Sequence, residues 1–166
     1  MATDVKLTFH TDKVVKSIED TAASKMYEAT QLVKEQVLET LAGSRSGRTY
    51  LVPGTKRTYT ASSPGEAPAQ ASGHLRQNIK TSVEGKGKTV IGKVGTDVPY
   101  GSMLEFGTKG GAVIRAKGKA LAFYVDGAMV FAKQVIQGPI APRPWLKPSF
   151  EKAMPALKAL FGKRWF

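Results

Sequence analysis

Apolar residues recur every three or four positions between Asp12 and Leu41, the spacing of one face of an α-helix. Asp12 stands where an N-cap residue belongs, and Gly43 follows shortly after Leu41 as a stop signal. The pattern predicts a long amphipathic helix, preceded by a short strand at Lys6–His10. The apolar stripe consists of Val14, Ile18, Ala22, Met26, Ala29, Val33 and Val37. The opposite face carries Lys13, Lys16, Glu28, Lys34, Glu35 and Glu39.

The segment 44–72 has no such periodicity. Proline and glycine interrupt it at three points, and its few apolar residues, such as Tyr50 and Tyr59, are too sparse to form a core. A structureless segment of this length is uncommon inside a compact domain. We therefore interpret 44–72 as a long extended arm that becomes ordered in an assembly.

The pattern after the arm is mainly that of antiparallel strands joined by tight turns. Asp126-Gly127, flanked by strand-forming residues, predicts a type I′ hairpin turn. A short helix is predicted from Pro99 to Glu105, with Gly107 as its stop. The predicted strands are Ile79–Glu84, Thr89–Gly95, Ala112–Ala116, Ala120–Val125 and Ala128–Ala132.

A C-terminal helix is predicted to begin at Pro144 and to be kinked or divided at Pro155. These elements predict an α+β fold, in which an antiparallel β-sheet is packed by the long N-terminal amphipathic helix and the C-terminal helix, with a long extended arm. The length of 166 residues fits a single domain, 1–166. The residues of the last helix expected to face the core are Trp145, Phe150, Ala153, Leu157, Leu160 and Phe161.

The net charge of +12 is unevenly distributed along the chain. Residues 12–41 hold four Lys against six acids, whereas 44–166 hold twenty Lys and Arg against six acids. Such an excess attracts polyanions, including nucleic acid, but it also suits acidic neighbours in an assembly. The candidates for contacts with DNA phosphates lie on the arm and on turns: Arg45, Arg48, Lys56, Arg57, Lys86, Lys88, Lys117 and Lys119.

The sequence gives no pattern for catalysis, a cofactor or a metal. It contains no cysteine, and His10 and His74 stand without an acidic partner at metal-ligand spacing. Gly85–Thr89 looks like the end of a phosphate-binding P-loop, but Ser82 replaces the first required glycine and a strand follows. No apolar run has the length of a signal peptide or a membrane span. We therefore expect a non-enzymatic, soluble protein without cofactors, made in the cytoplasm.

Three stretches, in order, carry a resemblance to a known family. They are Ser-Gly-His-Leu-Arg-Gln-Asn-Ile at 72–79, Tyr-Gly-Ser-Met-Leu-Glu-Phe-Gly-Thr at 100–108, and Ala-Pro-Arg-Pro-Trp-Leu-Lys-Pro at 141–148. They resemble the head–tail joining or tail-completion proteins (neck, minor tail) of long-tailed bacteriophages. That family typically shows Tyr-Ala-x-x-Glu-Phe-Gly-Thr and Arg-Pro-Phe-Leu-x-Pro, so Gly101 and Trp145 are mild departures.

The resemblance implies a structural protein of the virion neck, assembled as a sixfold or twelvefold homo-oligomeric ring. Its partners would be further copies of itself, adjacent head-closure, tail-terminator or tail-tube proteins, and genomic double-stranded DNA bound without sequence specificity, but no membrane. Two alternatives stay open: a tail terminator ring, and a free basic nucleic-acid-binding module. The family-motif and interface candidates are Gly73, Leu75, Arg76, Tyr100, Glu105, Phe106, Gly107, Thr108, Arg143, Pro144, Trp145 and Leu146.

Two of these candidates can be interpreted either as ordinary structural residues or as residues with a specific pairing or interface role. Glu105 is either a solvated carboxylate at a helix end or the partner of an arginine of the same fold or of the neighbouring subunit. Arg76 and Arg143 are the candidates, because arginine can bind a carboxylate with two parallel hydrogen bonds. Trp145, between Pro144 and Leu146, is either packed in the core or a rigid anchor at an interface. The recurrence of the glutamate in the family motif favours the arginine pair.

Overall fold

The computed structural model describes residues 11–52, 55–86, 89–125 and 128–162. The predicted strand at Lys6–His10, the turn at Asp126-Gly127 and the phosphate candidate Lys88 lie outside these residues. The helices are α1 (Thr11–Ala42), α2 (His74–Gln77), α3 (Tyr100–Phe106) and α4 (Leu146–Gly162). The strands are β1 (Thr49–Leu51), β2 (Thr58–Thr60), β3 (Ile79–Lys86), β4 (Thr89–Thr96), β5 (Val113–Arg115), β6 (Leu121–Val125), β7 (Ala128–Ala132) and β8 (Gln134–Ile136).

The described strands form antiparallel pairs: β1 with β2, β3 with β4, β5 with β8, and β6 with β7. The predicted mixture of a long N-terminal helix, antiparallel sheet and a C-terminal helix is therefore confirmed. The chain divides into two compact units, whose boundaries fall at 42/43, 75/76, 97/98 and 145/146. Unit 1 contains α1, β3, β4 and α4, and unit 2 contains β1, β2, α3 and β5 to β8. The prediction of a single domain stays a prediction.

Unit 1 is built on the C-terminal half of α1, which packs against α4 and against the β3–β4 hairpin. The four apolar residues of α1 that are buried are spaced by four, because that spacing places them on one face of the helix. They are Ala29, Val33, Val37 and Leu41. The amide of Gln31 adds a hydrogen bond to the Thr81 hydroxyl of β3 at 3.3 Å.

The apolar stripe of α1 extends further than the surface that covers it. Val14 and Ile18 belong to the predicted core face, but both are exposed. Asp12, predicted as the N-cap, lies in the first turn of a helix that begins at Thr11, where its charge favours the positive end of the helix dipole. The periodicity identified the buried face correctly, but among the described residues only the second half of the stripe is buried.

Three details predicted for α4 differ from the structure, and whether the helix is kinked at Pro155 stays a prediction. The helix is not divided at Pro155, which lies on its exposed side, where water can satisfy the carbonyl freed by the missing N–H. Phe150 and Phe161 are exposed rather than in the core, since the buried face of the helix is formed by Ser149, Ala153, Leu157 and Leu160. The helix also begins at Leu146, two residues after the predicted Pro144.

The segment predicted as an extended arm contains the β1–β2 hairpin and is tied to the rest of unit 2. Thr49 pairs with Thr60, and the rings of Tyr50 and Tyr59 lie 5.9 Å apart across the two strands. Beyond the hairpin, the N–H of Gly65 donates to the carbonyl of Pro142 at 3.0 Å. The described residues of 44–72 thus include a hairpin and contacts with the rest of unit 2, which the sequence pattern did not reveal.

Residues 108–125 and 128–140 form a two-stranded antiparallel element, which we call the ribbon. Its base is the bridge between Thr108 and Ile140, and β5–β8 and then β6–β7 continue it outward. Ala116 pairs with Lys133 and Leu121 with Ala132, so residues 117–120 bulge from one strand without opposing partners. The three predicted strands, two before the turn and one after it, therefore belong to a single element, and β8 was not predicted.

Gly92 of β4 marks the closest approach between the β3–β4 hairpin and α1. A Cβ at Gly92 would lie 2.6 Å from Thr30 Cγ2 and 2.8 Å from the Met26 sulfur. We expect Gly92→Ala to lower the free energy of unfolding by about 1–3 kcal/mol, because the buried, stiff Thr30 side chain has little room to shift. Gly95→Ala is the matched control on the same strand, since a Cβ at Gly95 meets nothing within 4 Å. Equal losses for both variants in urea unfolding would contradict this packing.

Candidate functional site

The second and third motif stretches meet at the base of the ribbon. Helix α3 ends at Phe106, and Gly107 follows with φ +72°, a left-handed conformation that favours glycine. A Cβ at Gly107 would lie 2.5 Å from the carbonyl oxygen of Ile140, so the close approach also requires glycine. Thr108 then begins the ribbon by exchanging backbone hydrogen bonds of 2.9 and 3.0 Å with Ile140.

Glu105 and Trp145 join the two stretches inside unit 2. The Glu105 carboxylate is buried, and its Oε2 accepts the backbone N–H of Trp145 at 2.7 Å. The Trp145 ring is only 2% exposed, and its Nε1–H donates to the carbonyl of Gly101 at 3.1 Å. A buried carboxylate is tolerated when charge-assisted hydrogen bonds satisfy it. We call these two residues, with Gly101, the Glu105–Trp145 junction.

The junction decides between the interpretations that the sequence left open. Trp145 is packed in the core, and Glu105 is neither solvated nor gripped by Arg143. The Arg143 guanidinium instead donates to main-chain carbonyls, those of Ala141 and Ser62, at 3.3–3.4 Å. The backbone N–H of Arg143 donates to the carbonyl of Leu104 at 2.6 Å. The predicted pairing with this arginine was therefore wrong, because the arginine is used to fix backbone rather than to balance charge.

The first motif stretch also reaches this region. Gly73 has φ +74°, Leu75 is buried, and the His74 ring lies 6.5 Å from that of Tyr100. The remaining motif candidates differ in exposure. Arg76, Tyr100 and Phe106 are exposed, with Phe106 at 78%, whereas Gly107, Thr108, Pro144 and Leu146 are half-buried. The motifs thus supply both an internal framework and outward side chains.

A second hydrogen-bonded cluster, the Glu66 clasp, closes the base of the β1–β2 hairpin. The Glu66 carboxylate accepts the backbone N–H groups of Ser46 at 3.2 Å and Ser63 at 2.9 Å. Pro64 and Gly65, the latter with φ +83°, form the turn between Ser63 and Glu66, the residue types that a type II turn requires. The pattern Ser-x-x-Glu at 63–66 is a sequence signal for such reciprocal bonding, and the sequence reasoning missed it.

Electrostatics ties Arg45 to the same clasp. Burial lowers the pKa of Arg45 below its usual value, and the negative charge of Glu66 opposes this shift. Its guanidinium donates to the carbonyls of Gly43 and Ser44 at 2.8 Å, and of Pro68 at 3.1–3.2 Å. Arg45 was predicted to contact DNA phosphates, but its guanidinium forms hydrogen bonds with main-chain carbonyls of neighbouring loops instead.

The other phosphate candidates fall into two groups within unit 2. Arg48, Lys56 and Arg57 are exposed on or beside the β1–β2 hairpin, and Lys117 and Lys119 are exposed in the bulge of the ribbon. Lys86 ends β3, outside this unit. Unit 2 contains ten Lys and Arg but only three acids. Two of those acids, Glu66 and Glu105, accept hydrogen bonds from backbone amides, and the sum of charges in unit 2 is positive.

Within the part of the chain that the structure describes, no group of three His, Cys, Asp or Glu residues could hold a metal ion. No helix among the same residues is long and apolar enough to cross a membrane. Comparisons with protein-family models, curated proteins and solved structures return no match to this chain.

We predict that Glu105→Leu lowers the free energy of unfolding by about 1–3 kcal/mol, because the buried N–H of Trp145 loses its acceptor. Glu105→Gln should cost less, since its amide oxygen can still accept that bond. Glu151→Leu is the matched control, because Glu151 is exposed on α4 and only 4.0 Å from Lys147; we expect a change within about 0.5 kcal/mol. A loss of equal size for Glu105→Leu and its control, measured by thermal or urea unfolding, would refute the role of the junction.

The pH response of the Glu66 clasp is a separate prediction. Hydrogen bonds from the Ser46 side chain and from the Ser63 and Ser46 amides, with the Arg45 charge, lower the pKa of Glu66 below its usual value. Its contribution is therefore complete above the ordinary glutamate pKa of about 4.3 and is lost as the pH falls through the lowered folded value. The NMR shifts of the Ser46 and Ser63 amides should titrate together with a midpoint below about 4.3.

The matched variant for this titration is Glu66→Gln. It should abolish the shared titration and accelerate amide exchange at Ser46 and Ser63 at neutral pH. Titration of both amides at the ordinary glutamate value, or an unchanged curve in Glu66→Gln, would show that the carboxylate does not hold the clasp.

Proposed function

We propose that this chain is a structural subunit of a bacteriophage neck, assembling as a homo-oligomeric ring that joins or completes the tail and lets genomic DNA pass. The observation that carries the proposal is the convergence of the motifs. The stretches that resemble the neck family are not scattered over the surface of unit 2. Two of them are joined by the Glu105–Trp145 junction, and the first approaches the second through His74 and Tyr100.

The distribution of basic residues supports contacts with the phosphate backbone of DNA. A conduit must accept any sequence, so its contacts are to phosphates, and cations on loops are suited to them. Arg48, Lys56 and Arg57 lie on a hairpin and Lys117 and Lys119 on a bulge. None of these residues belongs to a helix, the usual element for reading bases in the major groove.

The proposal is tested first by disrupting the gene in the phage or prophage that carries it. We expect DNA-filled heads and tails of normal length that fail to join, seen by electron microscopy. Tails of uncontrolled length would favour the tail terminator, because a terminator stops growth of the tail tube. Fully joined, infectious particles would overturn the proposal in either form.

The contribution of the β1–β2 hairpin is tested by reversing its charges. The triple variant Arg48→Glu, Lys56→Glu, Arg57→Glu should fold normally, since exposed charge changes cost about 0.5 kcal/mol or less each, but should lower the yield of infectious particles. The matched control reverses three exposed lysines of α4: Lys147→Glu, Lys152→Glu and Lys158→Glu. Equal losses in both would assign the effect to net charge rather than to the hairpin.

A free nucleic-acid-binding module would behave differently in the same experiments. The purified wild-type chain would bind short DNA duplexes with sequence preference, and the preference would persist at raised salt. The neck proposal expects only weak binding that falls steeply with salt and shows no preference among sequences.

A further inference from the structure

The β1–β2 hairpin carries two arginines and two tyrosines on one face. In an antiparallel pair, every second side chain points to the same face, and residues directly opposite each other share a face. Tyr50 is paired with Tyr59. The pairing continues at both ends of the strands, because the carbonyls of Arg48 and Arg57 accept backbone N–H groups from the opposite segment at 2.8 and 2.7 Å. We call this set the Arg–Tyr face: Arg48, Tyr50, Tyr59 and Arg57.

The two arginines of this face hold donors that the fold itself does not use. The side chains of Arg48 and Arg57 are both exposed, and neither guanidinium bonds to another residue that the structure describes. Arg45 and Arg143 differ from them, because their guanidiniums donate to main-chain carbonyls. The Arg–Tyr face can therefore offer its guanidiniums to a ligand without breaking a bond within the described structure.

The tyrosine pair offers hydroxyl groups rather than ring faces. The two ring centroids lie 5.9 Å apart at an interplanar angle of 31°, so each ring covers part of one face of the other. Tyr50 is 48% exposed, and Tyr59 is half-buried. An unpaired base needs an open ring face on which to stack, whereas a hydroxyl at the ring edge can donate a hydrogen bond while the rings stay in contact. The pair therefore suits a ligand with hydrogen-bond acceptors better than one with flat, unpaired bases.

The composition of the hairpin segment defines the chemistry of that ligand. Residues 46–63 contain three cations, nine hydroxyl side chains and no Asp or Glu. Arginine, lysine, serine, threonine and tyrosine are side chains that bind the phosphate oxygens of DNA. A protein interface would be expected to bury a mainly apolar centre that is depleted in lysine and serine, whereas the larger aliphatic side chains of this segment are only Leu51 and Val52. The segment therefore favours a polyanion that presents phosphates over a protein surface.

We propose that the Arg–Tyr face binds the sugar–phosphate backbone of duplex DNA without sequence specificity. Arg48 and Arg57 neutralise phosphates, and the hydroxyls of Tyr50 and Tyr59 donate hydrogen bonds to phosphate oxygens. The inference rests on the proposed function for the source of the DNA, which is the genomic duplex passing the neck. It deepens that function by adding a neutral contact, the tyrosine pair, to the charged ones.

The salt dependence of binding separates the charged contacts from the neutral ones. The purified full chain is titrated against a short, fluorescently labelled duplex of mixed sequence at a series of salt concentrations. The double variant Arg48→Gln, Arg57→Gln should reduce the slope of log K against log salt by about 1.8, because each phosphate contact contributes about 0.9. The double variant Tyr50→Phe, Tyr59→Phe should weaken binding about 3- to 10-fold for each lost hydrogen bond and leave the slope unchanged.

The chain offers a matched control for each kind of contact. Thr58→Val removes an exposed hydroxyl from the opposite face of the same hairpin, because Thr58 adjoins Tyr59 along β2. The double variant Lys152→Gln, Lys158→Gln removes two exposed charges from α4, in unit 1. We expect wild-type affinity for Thr58→Val and a wild-type salt slope for both controls. Circular dichroism confirms that each variant is folded.

The outcomes separate this contact from the neck function. No duplex binding by the wild type at low salt, an unchanged slope in the arginine variant, or wild-type affinity in the tyrosine variant would overturn the inference, even if gene disruption leaves heads and tails unjoined. Tighter binding of a single strand than of the duplex, weakened by Tyr50→Ala but not by Tyr50→Phe, would overturn it in favour of base stacking. The expected slopes and affinities, with joined particles after gene disruption, would support the contact and refute the neck role.

Discussion

A buried carboxylate holds the centre of unit 2 together. The buried side chain of Glu105 needs hydrogen-bond donors in place of water, and the backbone N–H of Trp145 supplies one at 2.7 Å. The bond connects α3 to a chain position forty residues later. Both ends of the ribbon, Thr108 and Ile140, lie between these two residues along the chain. The hydrogen bond of the carboxylate therefore joins the chain segments on either side of the ribbon.

The same principle determines where the charge of unit 2 is displayed. Glu66 and Glu105 satisfy backbone amides, and Arg45 and Arg143 satisfy backbone carbonyls. These four groups fix loops that have little apolar material to bury. The remaining basic residues face solvent with few acids nearby, so the field of unit 2 is positive for a structural reason as well as a compositional one.

Exposed apolar surface is the complementary feature. Val14 and Ile18 on α1 and Met129 and Phe131 on the ribbon are apolar positions with regular spacing that are exposed in the described structure.

Local signals in the sequence determined the elements. The period of α1, the hairpin composition around 85–88 and the glycine after α3 predicted their bounds to within a few residues, because these depend on neighbours along the chain. Tertiary structure decided what the elements do. A periodicity identifies the apolar face of a helix but not where its cover ends, so the exposure of Val14 could not be predicted. The hydrogen-bond partner of Glu105 could not be predicted from the sequence either. A buried polar group bonds to whichever donor the fold brings close to it, and here that donor is the backbone amide of Trp145 rather than an arginine.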